Sequence, residues 1–193
     1  DDYLYAGFFE KDINRATIND LNNSEAIVIW SEDLKENLPV LYLRVRQAVK
    51  NGAKLIVFGH SNSTLKDVAD FYYSEDIVSE NFEIIKDISK LKGLKEHVKD
   101  KNVTAIIGKS TPYQLDENLD KLVSYLVENS NLKIMNSFSS GNTFGAINNL
   151  DNVKNLRDFT KNVSSENTDL LFVVGSDPIG RSVFSNEIHR IIE

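Results

Sequence analysis

Ala26-Ile27-Val28-Ile29-Trp30 is an unbroken apolar run. A strand reads this way when both of its faces are covered, since a half-solvated strand would alternate with polar residues. After a polar interval, Leu38, Leu41, Val45, Ala48 and Val49 recur at three- and four-residue spacing, making one stripe of an amphipathic helix. Arg44, Arg46, Gln47 and Lys50 fall mainly off that stripe. Asn51-Gly52 ends the helix, glycine being the residue that tolerates a left-handed backbone at a helix C-terminus. Leu55 to Phe58 follows at once as a second buried strand. Strand, helix, Asn-Gly and strand in about thirty residues make a βαβ unit with a right-handed crossover.

The alternation continues. Leu65, Val68, Ala69 and Phe71 predict a short helix, and Phe82, Ile85 and Ile88 another, with Gly93 separating it from a last turn around Leu94 to Val98. Val103 to Ile107 is a third strand ending at Gly108. Leu115, Leu119, Leu122, Val123 and Leu126 mark the clearest amphipathic helix, and Leu132 to Met135 the next strand. The Ser-, Gly- and Asn-rich tract 136–149 reads as loop with one helical turn, and a short helix is expected around Leu156 to Phe159. Leu170 to Val174 is the last strand, ending at Gly175, before a helix over 183–192. Residues 1–23 are an irregular lead-in with a short helix over Ala16 to Leu21, capped by Thr17 or Asn19. The expected fold is a single α/β domain over 1–193, with βα units over 24–193. Its sheet is doubly wound and mostly parallel, of about five strands, with helices on both faces in the Rossmann-like manner. With no initiator Met and a helical pattern still running at the other end, the chain is expected to be a segment of a longer protein.

Composition narrows the chemistry. Apolar residues are 41% and charged residues 26%, the balance of a globular domain and not of a disordered tail. No cysteine is present, which excludes a disulfide framework, a thiolate zinc site and a thiolate-held iron–sulfur cluster in this stretch. His60, His97 and His189 lie far apart and in no metal-binding pattern. A net charge of −7 argues against general affinity for nucleic acid or anionic membrane. No apolar run approaches the ~18–20 residues of a bilayer span.

In open α/β sheets ligands bind beyond the carboxyl ends of the strands. Those loops read Ser31-Glu32-Asp33, Gly59-His60-Ser61-Asn62, Gly108-Lys109-Ser110-Thr111 and Gly175-Ser176-Asp177-Pro178. Gly108-Lys109-Ser110 ends like a phosphate loop, but Val103 stands where the upstream glycine belongs. No GxGxxG follows any strand. Asp33 and Asp177 could bind a ribose hydroxyl or act as a base; the plainer role is a helix-start or turn aspartate. His60 occupies a binding-loop position with no acidic or nucleophilic partner in the pattern. The hydroxyls and amides of Asn136 to Asn142 suit either a polar ligand or an exposed loop. No nucleophile, base and orienting acid come together.

Two stretches carry a resemblance. One runs from Arg15-Ala16-Thr17-Ile18-Asn19-Asp20-Leu21 through the strand Ala26–Trp30, Pro39, the arginine-bearing helix and Asn51-Gly52-Ala53-Lys54-Leu55-Ile56-Val57. The other is Asp169-Leu170-Leu171-Phe172-Val173-Val174-Gly175-Ser176-Asp177-Pro178. In order and spacing these resemble the molybdopterin oxidoreductase superfamily. Within it they are most similar to the C-terminal region of the large subunit of respiratory NADH–quinone oxidoreductase (complex I). Ile106-Ile107-Gly108 and the tract Gly141 to Asn148 fall where that superfamily has a strand and a glycine-rich segment.

The departures bear on function. Where the superfamily's first loop carries glycine, asparagine, proline and glutamate, this chain has Ser31, Asp33, Leu34 and Asn37; Gly175 and Pro178 match the second loop, with Asp177 replacing asparagine. The resemblance therefore implies a structural, cofactor-free, non-catalytic domain. It would pack against an iron–sulfur-bearing N-terminal region of the same chain and other peripheral-arm subunits, on the cytoplasmic side of the inner membrane. It would thereby support electron transfer from NADH to quinone by the whole assembly. The alternative it implies is a domain of a formate dehydrogenase or nitrate reductase-like enzyme, with Ser31, Asp33, His60, Gly175, Ser176 and Asp177 lining a molybdopterin dinucleotide. A free-standing small-molecule binding module is a third reading.

Overall fold

The computed structural model describes residues 13–59, 63–74, 94–108 and 116–137, the backbone alone for 116–118. All of them fall within one compact unit, Leu4–Thr143. Among the described residues six strands form one parallel sheet: β1 (Asn14–Arg15), β2 (Ala26–Trp30), β3 (Lys54–Gly59), β4 (Phe71–Ser74), β5 (Asn102–Ile107) and β6 (Asn131–Asn136). Four α-helices accompany them there: α1 (Leu34–Asn37), α2 (Pro39–Lys50), α3 (Leu94–Val98) and α4 (Asp116–Asn129). A 3-10 helix, Ile18–Asn23, precedes β2.

The spatial order is β1-β6-β5-β2-β3-β4. From β2 the chain winds outward through β3 to β4, then returns to the other side of β2 for β5 and β6. This is the doubly wound, Rossmann-like topology, with its reversal between β2 and β5. Ala26 is in register with Lys54 on one side and Val103 on the other.

Every residue of β2 is buried, because the sheet is covered on both faces. Ala26, Val28 and Trp30 join Leu119, Leu122, Val123 and Leu126 of α4 in one core. Ile27 and Ile29 join Leu41, Val45 and Ala48 of α2 in the other. Each fully buried Leu, Ile or Val on these faces contributes about 1.5–3 kcal/mol. The α2 stripe and its Asn-Gly stop lie where the periodicity puts them, and Gly52 takes φ +108°.

Two strands and one helix depart from expectation. Phe71 belongs to β4 and not to a helix: residues 65–69 close only turns, with Val68 N–H and Ala69 N–H both donating to the Leu65 carbonyl. Asp70 then fixes the strand start, its carboxylate accepting from Leu55 N–H at 3.0 Å and Lys54 Nζ at 2.7 Å. The aromatic run Phe71-Tyr72-Tyr73 suits a half-buried edge strand. β1 has no apolar signal at all; it exists because the outer edge of β6 offers backbone groups for pairing, and Ala16 N–H meets the Ile134 carbonyl there. The strand expected at Leu170–Val174 and the helices around Phe82 to Ile88, Leu156 to Phe159 and 183–192 lie outside the described residues.

The short helix expected at Ala16–Leu21 is the 3-10 helix, begun by Thr17. Asp20 accepts from the Thr17 N–H and hydroxyl, both at 2.7 Å, and from Lys133 Nζ of β6 at 2.6 Å. The Lys133 bond, then those from Thr17, hold the Asp20 carboxyl far below the usual carboxylate range. No described helix is long and apolar enough to cross a membrane.

Candidate functional site

The reversal between β2 and β5 is where a sheet of this kind presents a ligand crevice. Its walls are the loop after β2, Ser31-Glu32-Asp33, and the residue after β5, Gly108. Ser31 has φ +51°, a left-handed backbone that glycine adopts without penalty and that costs other residues roughly 1 kcal/mol. Its N–H donates to the Phe58 carbonyl at 2.7 Å, and Gly108 N–H donates to the Trp30 carbonyl at 2.7 Å. Both bonds continue the parallel ladders by one residue, so the Ser31 backbone still lies between the ends of β3 and β5. Gly108 lies directly against it: a Cβ there would come within 2.6 Å of the Ser31 carbonyl carbon and 2.7 Å of Glu32 Cβ. No room for a methyl group remains between the two loops.

Glu32 is 4% exposed. Its Oε1 accepts from Asn37 Nδ2 at 2.7 Å, while Oε2 is buried with no hydrogen-bond partner among the described residues. Asp33 faces the other way, toward the end of β3. Its Oδ1 accepts from Lys35 N–H and Glu36 N–H in the first turn of α1 and from the Thr64 hydroxyl at 2.9 Å; Oδ2 accepts from Thr64 N–H at 3.1 Å. Burial by itself would raise this carboxyl, but the Thr64, Glu36 and Lys35 donors outweigh it and hold it below the usual range. Asp33 is therefore engaged as a helix cap and a tie between two strand-end loops.

A second feature lies beside the crevice, on the α2 face of the sheet. A cavity of about 320 Å³ opens between the 3-10 helix, the start of α2 and the ends of β5 and β6. Ile18, Leu38, Val40 and Met135 give it apolar walls, and Asn37, Asn136 and Ser137 its polar end. Both polar side-chain atoms of Asn136 are buried without a partner among the described residues. Leu38, at the N-cap of α2, provides no side-chain cap. Among the described residues no group of His, Asp and Glu is placed to hold a metal ion.

Of the residues singled out from the sequence, Ser31 and Asp33 stand at the same strand end but turn to different neighbours. His60, Gly175, Ser176 and Asp177 lie outside the described residues. Asn136 opens the polar tract that the sequence offers for either a ligand or an exposed loop, and it lies at the cavity; the roles of Glu32, Asn37 and Thr64 and the steric role of Gly108 are not legible in the sequence pattern. Glycine directly after an apolar strand is the one available signal, and it marks a close approach as well as a strand end.

The strand order defines a doubly wound α/β domain. Residues 4–110, more than half of the chain, match the model of the molybdopterin oxidoreductase family, and the chain belongs to that family. No curated relative matches it. The described loops do not fit the cofactor that the family name implies. A pterin dinucleotide brings a pyrophosphate, which favours backbone donors and basic groups. Here the described loop after β2 offers two carboxylates, and its Ser31 backbone and Glu32 Cβ lie directly against Gly108.

Proposed function

We propose that this chain is a structural, cofactor-free domain of the complex I type, corresponding to the C-terminal region of the large subunit of NADH–quinone oxidoreductase. In this reading the parent chain carries iron–sulfur clusters in a separate N-terminal region, against which the domain packs along with other peripheral-arm subunits. The assembly lies on the cytoplasmic side of the inner membrane and passes electrons from NADH to quinone. The domain itself turns nothing over.

The observation that carries the reading is the contact of Gly108 with the Ser31 backbone at the reversal point of the sheet. A cofactor would approach such a sheet at this point; here the first strand-end loop sets its own backbone and a buried glutamate against Gly108. The two acidic side chains of the loop support the same conclusion, since an anionic dinucleotide would meet like charge.

The test is elemental analysis of the full-length parent purified from its native host, with pterin fluorescence after oxidative release and an assay of NADH:quinone activity in the same preparation. Iron without molybdenum or pterin, together with that activity, is expected. Stoichiometric molybdenum and pterin would overturn the reading and make the strand-end loops a cofactor site of a formate dehydrogenase or nitrate reductase-like enzyme.

A further inference from the structure

We infer that residues 13–20 are a strap that lifts from β6 ahead of global unfolding, baring the outer edge of that strand and widening the cavity at the ends of β5 and β6, whatever assembly the domain serves. Burial does little to hold the strap. Asn14, Arg15, Thr17, Ile18 and Asn19 are exposed, and the one buried side chain is the single methyl of Ala16. Ile13, partly buried, rests against the α4-side core. Firm anchorage begins only at Leu21, fully buried in the α2-side core, and continues at Ser24, whose hydroxyl bonds to that of Thr104 at 2.7 Å. A segment with few buried apolar contacts and exposed backbone bonds is the kind that opens locally while the rest of a domain stays folded.

The fastenings that remain are polar, and they converge on two consecutive residues of β6. The register pairs Asn14 with Lys133 and Arg15 with Ile134. Ala16 N–H then donates to the Ile134 carbonyl at 2.7 Å. Asp20 is the latch: its Oδ1 accepts from Lys133 Nζ at 2.6 Å, and its Oδ2 gathers the Thr17 N–H and hydroxyl. One carboxylate thus ties the turn of the strap to the strand. The Lys133 and Asp20 side chains are 40% and 21% exposed, so water competes for the pair and its hold is modest.

The fastened residues stand immediately before the cavity wall. Met135 follows Ile134 and lines the cavity, and Ile18, carried on the strap between Ala16 and Asp20, lines it too. Lifting the strap withdraws Ile18 and opens Met135 to solvent. It also strips Lys133 and Ile134 of their partners, and among the described residues β1 is what covers β6 on that side. An uncovered strand edge offers free N–H and C=O groups to a further strand. Met135 is the only methionine of the chain, so its sulfur reports the opening: the thioether takes one oxygen atom from hydrogen peroxide, giving the sulfoxide and water.

Hydrogen exchange and hydrogen peroxide oxidation of the full-length parent, read by mass spectrometry on the peptides that hold Ala16 and Met135, test the strap. In the wild type the Ala16 amide should exchange at least about a hundredfold faster than the amides of β2. Asp20→Ala and Lys133→Ala should each speed both Ala16 exchange and Met135 oxidation about fivefold, the scale of a partly exposed ion pair, and leave the β2 amides unmoved. Lys133→Arg keeps the cation and should match the wild type. So should Lys54→Ala, which breaks a similar pair with Asp70 at the other side of the sheet. Ala16 exchange as slow as that of β2, or exchange unmoved by both latch variants, overturns the inference. The same holds if the β2 amides accelerate equally, or if Ala16 exchange rises while Met135 oxidation stays at the wild-type rate.

Discussion

The end of β2 and the ends of β5 and β6 lie side by side on one edge of the sheet, yet they are built in opposite ways. At β2, Ser31 takes a left-handed backbone just past the strand, and Gly108 at the end of β5 packs directly against it. At β5 and β6, among the described residues, the start of α2 and the 3-10 helix approach, and a cavity remains. Topology alone places the crevice at the first position; side chains and one glycine decide that the space survives at the second. A doubly wound sheet therefore specifies where a ligand could sit without specifying that one does.

The largest way to break the contrast is Gly108→Ala. The new methyl meets backbone atoms that cannot rotate away, so a loss of about 3 kcal/mol is expected in urea unfolding, at the upper end for overpacking. Gly59→Ala is the control: its nearest neighbour is the Tyr72 hydroxyl at 3.2 Å, the far end of a side chain, and a loss below about 1 kcal/mol is expected. If both cost the same, the closed crevice is not a rigid contact. Next comes Asn37→Ala, which leaves the buried Glu32 carboxylate with neither oxygen paired among its described neighbours; about 2–3 kcal/mol should be lost, and Asn37→Asp should be no better.

Asp33→Ala removes both the α1 cap and the tie to Thr64, and about 1–2 kcal/mol should go with them. This effect depends on pH with a defined sign. Asp33 and Asp70 have folded pKa values below those of the unfolded chain. Their contribution is full above the unfolded value, about 4, and is lost as pH falls through the lower folded values. Urea midpoints measured from pH 6 downward should therefore fall in the acid range, less steeply for Asp33→Ala; a profile equally steep for the variant would remove Asp33 from the account. The smallest effect belongs to the open region: Leu43→Ser should change stability by less than about 0.5 kcal/mol, because the side chain is already in water.

Much of the fold is legible in the sequence because buried parallel strands and an amphipathic helix announce themselves by period alone. β2 and α2 are of this kind, and α4 follows the same rule. β1 is not legible, since its two residues are exposed and polar and its only cause is the free edge of a strand more than a hundred residues away. β4 hides behind a false period: Leu65, Val68, Ala69 and Phe71 share a helical spacing that the turn at 65–69 does not use. At the site, Ser31 and Asp33 are recognisable as strand-end residues, but their roles depend on Gly108 and Thr64, which nothing in the local pattern ties to them. Glu32 illustrates the limit: of two adjacent acidic residues in one loop, nothing in the sequence says that Glu32 is buried and Asp33 only partly so.

The pairing of β2 with both β3 and β5 has a consequence for how such a domain can be altered. The β2–α2–β3 unit closes locally, whereas β5 reaches β2 only after the chain has travelled out to β4 and back. The entropy of closing that longer excursion grows only logarithmically, by about 0.6 kcal/mol for each doubling of its length. Added length between β4 and β5 thus carries little closure penalty. The register of β2 with β3 and with β5 is a matter of the central strands themselves, so a lineage could lengthen or shorten the connection while its middle stays fixed.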